Sequence, residues 1–317
     1  MPPPIHAIER EEPAPQDVDA PPFVLTGRNA HWSWLESLAG RPATFRRPVV
    51  FAGPGSWLYA VRGGADSRAA AQATLDAGLD FAEHSRAPAL IIEDLGPERA
   101  AALRRAREPD AVLPAPPALS ADAFDLPAPG RPRLRREFER QHRRAQEAGL
   151  RAHVVSGPLI EADLDRFALL QHACAAVHPH HPPHGPGRLQ QAAAQTGAML
   201  LCARQARSGE LGGALLCLRR GRSLALSAEA VNPERLRAWH TYAFLLLEAL
   251  RLARELDTPR VEGGRVNYAY KERIGFEVSP LTTLVYLTAR AAPGARGALR
   301  RLGRELGPRL EGVPHGL

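Results

Sequence analysis

Apolar positions along the chain recur with two periods, and their alternation predicts an α/β protein. The run VVFAGPGSWLYAV at 49–61 is rich in strand formers but broken by Gly-Pro-Gly, which reads as a hairpin or bulged strand. An Ala-rich helix over Ser67–His84 follows, then a buried strand at Ala89–Leu95, then a helix opened by Pro97 and running to Arg107. The next stretch, Val112 to Pro132, carries so many prolines that it reads as a connection between two halves.

The second half opens with LRREFERQHRRAQEAG, a helix whose Leu134, Phe138 and Ala145 share one face while Arg136, Arg140 and Arg143 share the opposite one. Gly149 closes it. A strand near Arg151–Val155 and a helix over Ala162–Val177 precede the loop HPHHPPHGPG. Three strands, AMLLCARQA, ELGGALLCLRR and SLALSAEAV, then form a meander with turns at Ser208-Gly209 and Gly221-Arg222. Pro233 should start a long, largely buried helix bearing Trp239, Ala243, Leu246 and Leu250 on one face. The strand PRVEGG, the short helix NYAYKERIG and the strand LTTLVYLTA complete the order. These divisions suggest a disordered Pro-rich segment at 1–22, a first lobe at 23–125, a second at 126–290 and a basic helix or tail at 291–317.

No run of eighteen uncharged apolar residues occurs; the best candidate, Thr241–Ala253, is short and carries Glu248 and Arg251. With no apolar leader in the Pro-rich opening, a cytoplasmic location is expected. Cys174, Cys202 and Cys217 match no metal or redox spacing and read as core residues of a reducing compartment. His178, His180, His181 and His184 are likewise not spaced as a known zinc motif, so no metal is expected; His181 is kept as a candidate for an acceptor pocket.

Charge changes the picture more. Forty-one basic residues against 34 acidic ones give a net charge of +7, which suits a polyanionic partner. Among those basic residues there is a single lysine, Lys271. Lysine carries a compact charge whose pKa moves on burial, whereas the guanidinium is a wide planar fork that stays charged. One lysine among so many arginines marks a position where the wider group does not fit.

Four segments carry a resemblance to a known family: the basic helix ending EAGLRAHVV, the strand pair ELGGALLCLRRGRSLAL, the Pro233 helix ending at Leu256, and VEGGRVNYAYKERIGF. Through Leu134–Leu287 they resemble the Fem-like, peptidoglycan-type aminoacyltransferase branch of the GNAT acyltransferase superfamily. That resemblance implies an α/β GNAT-type fold with two GNAT-like lobes, the N-terminal one degenerate. It also places Lys271 where the family has a lysine against the donor's acyl carbonyl, and Tyr270 beside the donor's terminal nucleotide. Glu262 stands where the family commonly has aspartate, and Trp239 or His240 where it has a small residue before the long helix.

The segment AVNPERLRAWH lacks the Gly-rich turn with which ordinary GNAT enzymes hold the pyrophosphate of coenzyme A, and Pro233 removes one amide donor. That absence, the basic composition and the use of aminoacyl-tRNA that the resemblance implies together favour a donor carried on tRNA over acyl-CoA, with a small amine, lipid or peptidoglycan-type acceptor and no cofactor. Arg136, Arg140 and Arg143 are candidate donor contacts. His240 and Glu229 are candidate bases for the acceptor amine. The alternatives are an acyl-CoA dependent enzyme of the same fold and a silent GNAT-like module that binds RNA or protein.

Overall fold

The computed structural model describes residues 23–26, 32, 35–36, 39–40, 44–52, 68–125, 132–177, 186–264 and 267–311. Ten strands are β1 (Phe23–Thr26), β2 (Val49–Ala52), β3 (Ala89–Leu95), β4 (Ala111–Asp122), β5 (Leu150–Ser156), β6 (Ala198–Gln205), β7 (Leu211–Arg220), β8 (Ser223–Val231), β9 (Arg260–Gly264) and β10 (Glu277–Leu287). The α-helices among the described residues are α1 (Arg68–His84), α2 (Pro97–Ala106), α3 (Pro132–Glu147), α4 (Glu161–Val177), α5 (Pro186–Ala193), α6 (Leu236–Trp239), α7 (Thr241–Glu255), α8 (Tyr268–Ile274) and α9 (Ala295–Glu311). The chain divides into two compact units, and β4, β10 and α9 each pass from one into the other.

In the first unit β1 pairs antiparallel with β2, β2 parallel with β3, and β3 antiparallel with the end of β10. Strand β3 is buried along nearly its whole length, and its apolar run Ala89–Ile92 suits a strand covered on both faces. Leu75 and Leu79 of α1 and Leu103 of α2 pack on Leu90, Ile92, Leu284 and Tyr286.

The second unit holds the remainder of β4 with β9, β8, β7, β6 and β5 in that order. The β5–β8 meander is antiparallel, β8 runs parallel to β9, and β9 antiparallel to β4. Phe167 of α4 and Leu189 of α5 close one face over Leu200, Leu216 and Ala230. Cys202 lies in this core and Cys174 is partly buried against it; burial pushes the thiols of Cys202 and of the buried Cys217 up to about 12.

Two expectations need correction. The Pro-rich stretch from Val112 is a strand as far as Asp122, not a connection. Its ladder with β9 begins only at Leu119, after Pro114, Pro116 and Pro117, so the missing proline amides cost no bond there. The Pro117 carbonyl instead accepts the buried Tyr268 hydroxyl at 2.5 Å. The long helix begins at Leu236 rather than Pro233, and it is broken at His240, which takes a left-handed conformation (φ 48°) between α6 and α7. The 1–22 segment, the remainder of the 49–61 run after Ala52 and His178–His184, including His181, lie outside the described residues.

One buried polar contact escaped the pattern of apolar positions. The His142 ring of α3 stacks on Phe244 of α7 at 5.0 Å and meets the Glu248 carboxylate, which also accepts from Arg251 at 2.7 Å. Glu248→Ala should cost about 1 to 3 kcal/mol, the penalty for leaving the buried His142 ring without its partner. Urea unfolding checks this; an unchanged midpoint would show that water already serves these groups.

Candidate active site

The second unit's parallel pair β8–β9 is short. It is in register only from Ser223–Arg260 to Ala225–Glu262, yet β8 continues to Val231 and β9 to Gly264. Past Ala225 and Glu262 the strands therefore leave the shared ladder, at their carboxyl ends, where open α/β sheets bind ligands.

A bulge decides which side chains face this parting. In the β7–β8 ladder Leu216 pairs with Ala228 and Cys217 with Leu226, which leaves Ser227 as the extra residue. Before it Ala225 faces the α4–α5 core, and after it Ala228 and Ala230 do. Regular alternation would have sent Glu229 into that core with Ala225; the bulge turns it to the other face.

There Glu229 meets Lys271. The Lys271 ammonium donates to the Gly263 carbonyl at 2.6 Å and reaches Glu229 Oε2 at 3.5 Å. Its third side lies over the Tyr242 ring, 5.9 Å from the centroid. Lys271 thus links the diverging ends of β8 and β9.

Local sequence explains the placement. Gly264 (φ 73°) ends β9, Asn267 (φ 56°) starts α8 in the left-handed region, and Gly275 (φ 110°) ends it, so α8 is one short segment pinned at both ends. The Lys271 amide donates to the Asn267 carbonyl, and the Asn267 side chain donates to Glu229 at 3.0 Å. Gly263 admits no side chain: a Cβ there would lie 2.7 Å from Phe276 Cε1 and 3.4 Å from Lys271 Cδ.

The electrostatics follow from burial. Lys271 is fully buried, which lowers its pKa, and Glu229 beside it opposes that shift. Glu229 is about a quarter exposed, at 24%, and so joins the covered ammonium to solvent. The Tyr242 hydroxyl is pushed well up by burial, then by the Glu229 charge.

The other expected residues divide. The Tyr270 ring packs between Phe138 and Tyr242, 5.1 Å from each, and its hydroxyl donates to Gln141 at 3.2 Å. Gln141 in turn donates to Glu137, which pairs with Arg140 at 2.5 Å, so one of the three α3 arginines is linked to this aromatic set. Arg136 and Arg143 are exposed on the same helix. His240 sits at the α6–α7 break, and among the described residues no hydrogen bond or ion pair joins its ring to Lys271 or Glu229. Tyr242 and Asn267 were not singled out in the sequence. Their signal was faint: Tyr242 is one more ring on a buried helix, and Asn267 is a polar residue at a helix start. No cluster of three metal-ligating side chains occurs among the described residues.

Comparison with solved structures sets this geometry in a known fold. The chain is similar to the C-terminal domain assigned to a lysylphosphatidylglycerol synthetase of Agrobacterium fabrum, with a TM-score of 0.57 and 12% identity over 83% of this chain and 82% of that one. It is similar also to L-PGS of Bacillus licheniformis (0.55, 12%, 83% and 85%) and to FemX (0.55, 12%, 78% and 83%). These likenesses concern the fold alone, which is of the GNAT type. No family model matches the sequence. No curated protein matches it either. Among the described residues no helix of this GNAT-type chain is long and apolar enough to cross a membrane.

The Lys271 site makes a prediction about pH. A lysine whose folded pKa is depressed binds fewer protons folded than unfolded, so its contribution to stability rises as pH climbs from the folded value toward about 10.4. Compared with Lys271→Met, wild type should gain denaturation midpoint across that alkaline window. Parallel pH profiles for the two proteins would contradict the depressed pKa.

Proposed function

We propose that the protein is an N-acyltransferase that moves an aminoacyl group from aminoacyl-tRNA to the amine of a small-molecule, lipid or peptidoglycan-type acceptor. The observation that carries this reading is the sole lysine held at the parting of β8 and β9 beside a half-open carboxylate. The acceptor nitrogen bonds to the ester carbonyl carbon, and negative charge develops on the carbonyl oxygen. Lys271 stabilises that oxyanion. Its 3.5 Å contact to Glu229 is at the outer limit of hydrogen bonding, so this is the contact a substrate carbonyl replaces, while Gly263 keeps the ammonium aimed. The bond to the tRNA ribose oxygen then breaks, and the proton lost by nitrogen passes through Glu229 to that oxygen.

The turn before α7 supports a tRNA donor over acyl-CoA. The Glu234 amide is bound by the Asn232 side chain at 3.0 Å, the Arg235 amide by the Asn232 carbonyl and the Trp239 amide by Arg235. Three amides of this segment are thus already used within the chain, and Pro233 supplies none.

Lys271→Ala should keep the fold and lower the single-turnover rate of aminoacyl transfer by about two to three orders of magnitude, as for loss of one oxyanion donor. Lys271→Arg should not restore it, since the fork is too wide for the space between Gly263, Glu229 and Tyr242. Wild-type rates in Lys271→Arg would remove Lys271 from the chemistry. Transfer from acyl-CoA but not from charged tRNA would replace the donor.

A further inference from the structure

In the first unit, helix α9 borders a groove whose other wall is the segment entering β4, Glu108–Val112. The helix side supplies Arg296, Arg300, Arg301 and Arg304, and Gly297 and Gly303 keep the floor low. Gly303 has no room for more, because a Cβ there would lie 3.1 Å from Leu113 Cδ2.

The charges in this groove do not cancel. Asp110 is engaged by Arg296 and accepts the Leu287 amide at 2.7 Å, so its carboxylate is already satisfied. Arg300, Arg301 and Arg304 are exposed, and among the described residues none has a carboxylate partner. Glu108 is the one further acid in the lining. Arg300 and Arg304 stand one helical turn apart, a rise of about 6 Å, and Arg301 lies beside both.

Ala295, Leu299, Leu302 and Leu306 of the same helix are buried in the unit's interior. A helix that seats on a bilayer needs an apolar face turned outward. None is left on α9, and what remains is a concave row of guanidinium forks whose geometry matches phosphate.

We propose that this groove, on the unit that does not carry Lys271, binds the phosphate backbone of RNA and gives the tRNA donor a second contact. The inference rests on the tRNA reading above but uses none of the Lys271 site. The contact is electrostatic and carries no base readout, so it serves tRNAs of differing sequence alike.

The test is binding of total tRNA to the full chain, followed against salt, for wild type, for Arg300→Glu/Arg301→Glu/Arg304→Glu, and for a control reversal at the exposed turn arginines Arg207, Arg219 and Arg222. The groove variant should bind about tenfold or more weakly near 0.1 M salt, with a log-log salt slope shallower by about 2 to 3. The turn variant should bind nearly as wild type, and a thermal melt checks that each variant is folded. Equal losses in groove and turn variants would show diffuse attraction and overturn the site. Wild-type affinity and slope in the groove variant would overturn the groove while leaving the tRNA donor standing. No tRNA binding by wild type would overturn both, and binding to vesicles of anionic lipid in its place would assign the groove to a membrane.

Discussion

A single ammonium spans the place where two parallel strands part, and the rest of the second unit is arranged to keep it there. Two parallel strands leaving a shared ladder expose carbonyl and amide groups that a buried sheet cannot leave unpaired. Lys271 satisfies one of them, the Gly263 carbonyl, at 2.6 Å, and its charge is balanced across the gap by Glu229 at 3.5 Å. Removing the lysine would leave the carbonyl unbound and the carboxylate unopposed. Replacing it by arginine would place a planar fork where Gly263 is glycine because Phe276 already fills the space.

The supporting parts are each small. A one-residue bulge at Ser227 turns Glu229 out of the core; left-handed Asn267 and Gly275 fix the ends of a seven-residue helix; Tyr242 covers the ammonium's third side. Phe138 and Gln141 of α3 then hold Tyr270 against Tyr242. The result is a charge that is dry and preorganised, the condition under which one positive group has a large effect on a developing oxyanion.

Much of this was legible in the chain. The β5–β9 strands and α8 lie where alternation, turn residues and the VEGG-to-KERIG run put them, because each is a local pattern. Lys271 stood out through composition alone. What local pattern could not supply was long-range. The bulge depends on β7 opposing β8, the Glu229–Lys271 pair joins residues 42 apart, and the His142–Glu248 contact joins residues 106 apart. Proline density in β4 argued for a linker, yet its prolines fall outside the β9 ladder, a fact visible only once the partner strand is known.

The one lysine also makes the central claim directly measurable. With lysine labelled at its side chain, NMR shows a single Lys271 resonance, followed by pH titration with and without a non-hydrolysable aminoacyl-tRNA. The account predicts a pKa below about 10.4 in the free protein and a resonance that moves on binding, as the ammonium exchanges Glu229 for the donor carbonyl. A lysine that titrates like one in free solution, or whose resonance is unmoved when the donor is saturating, would contradict it.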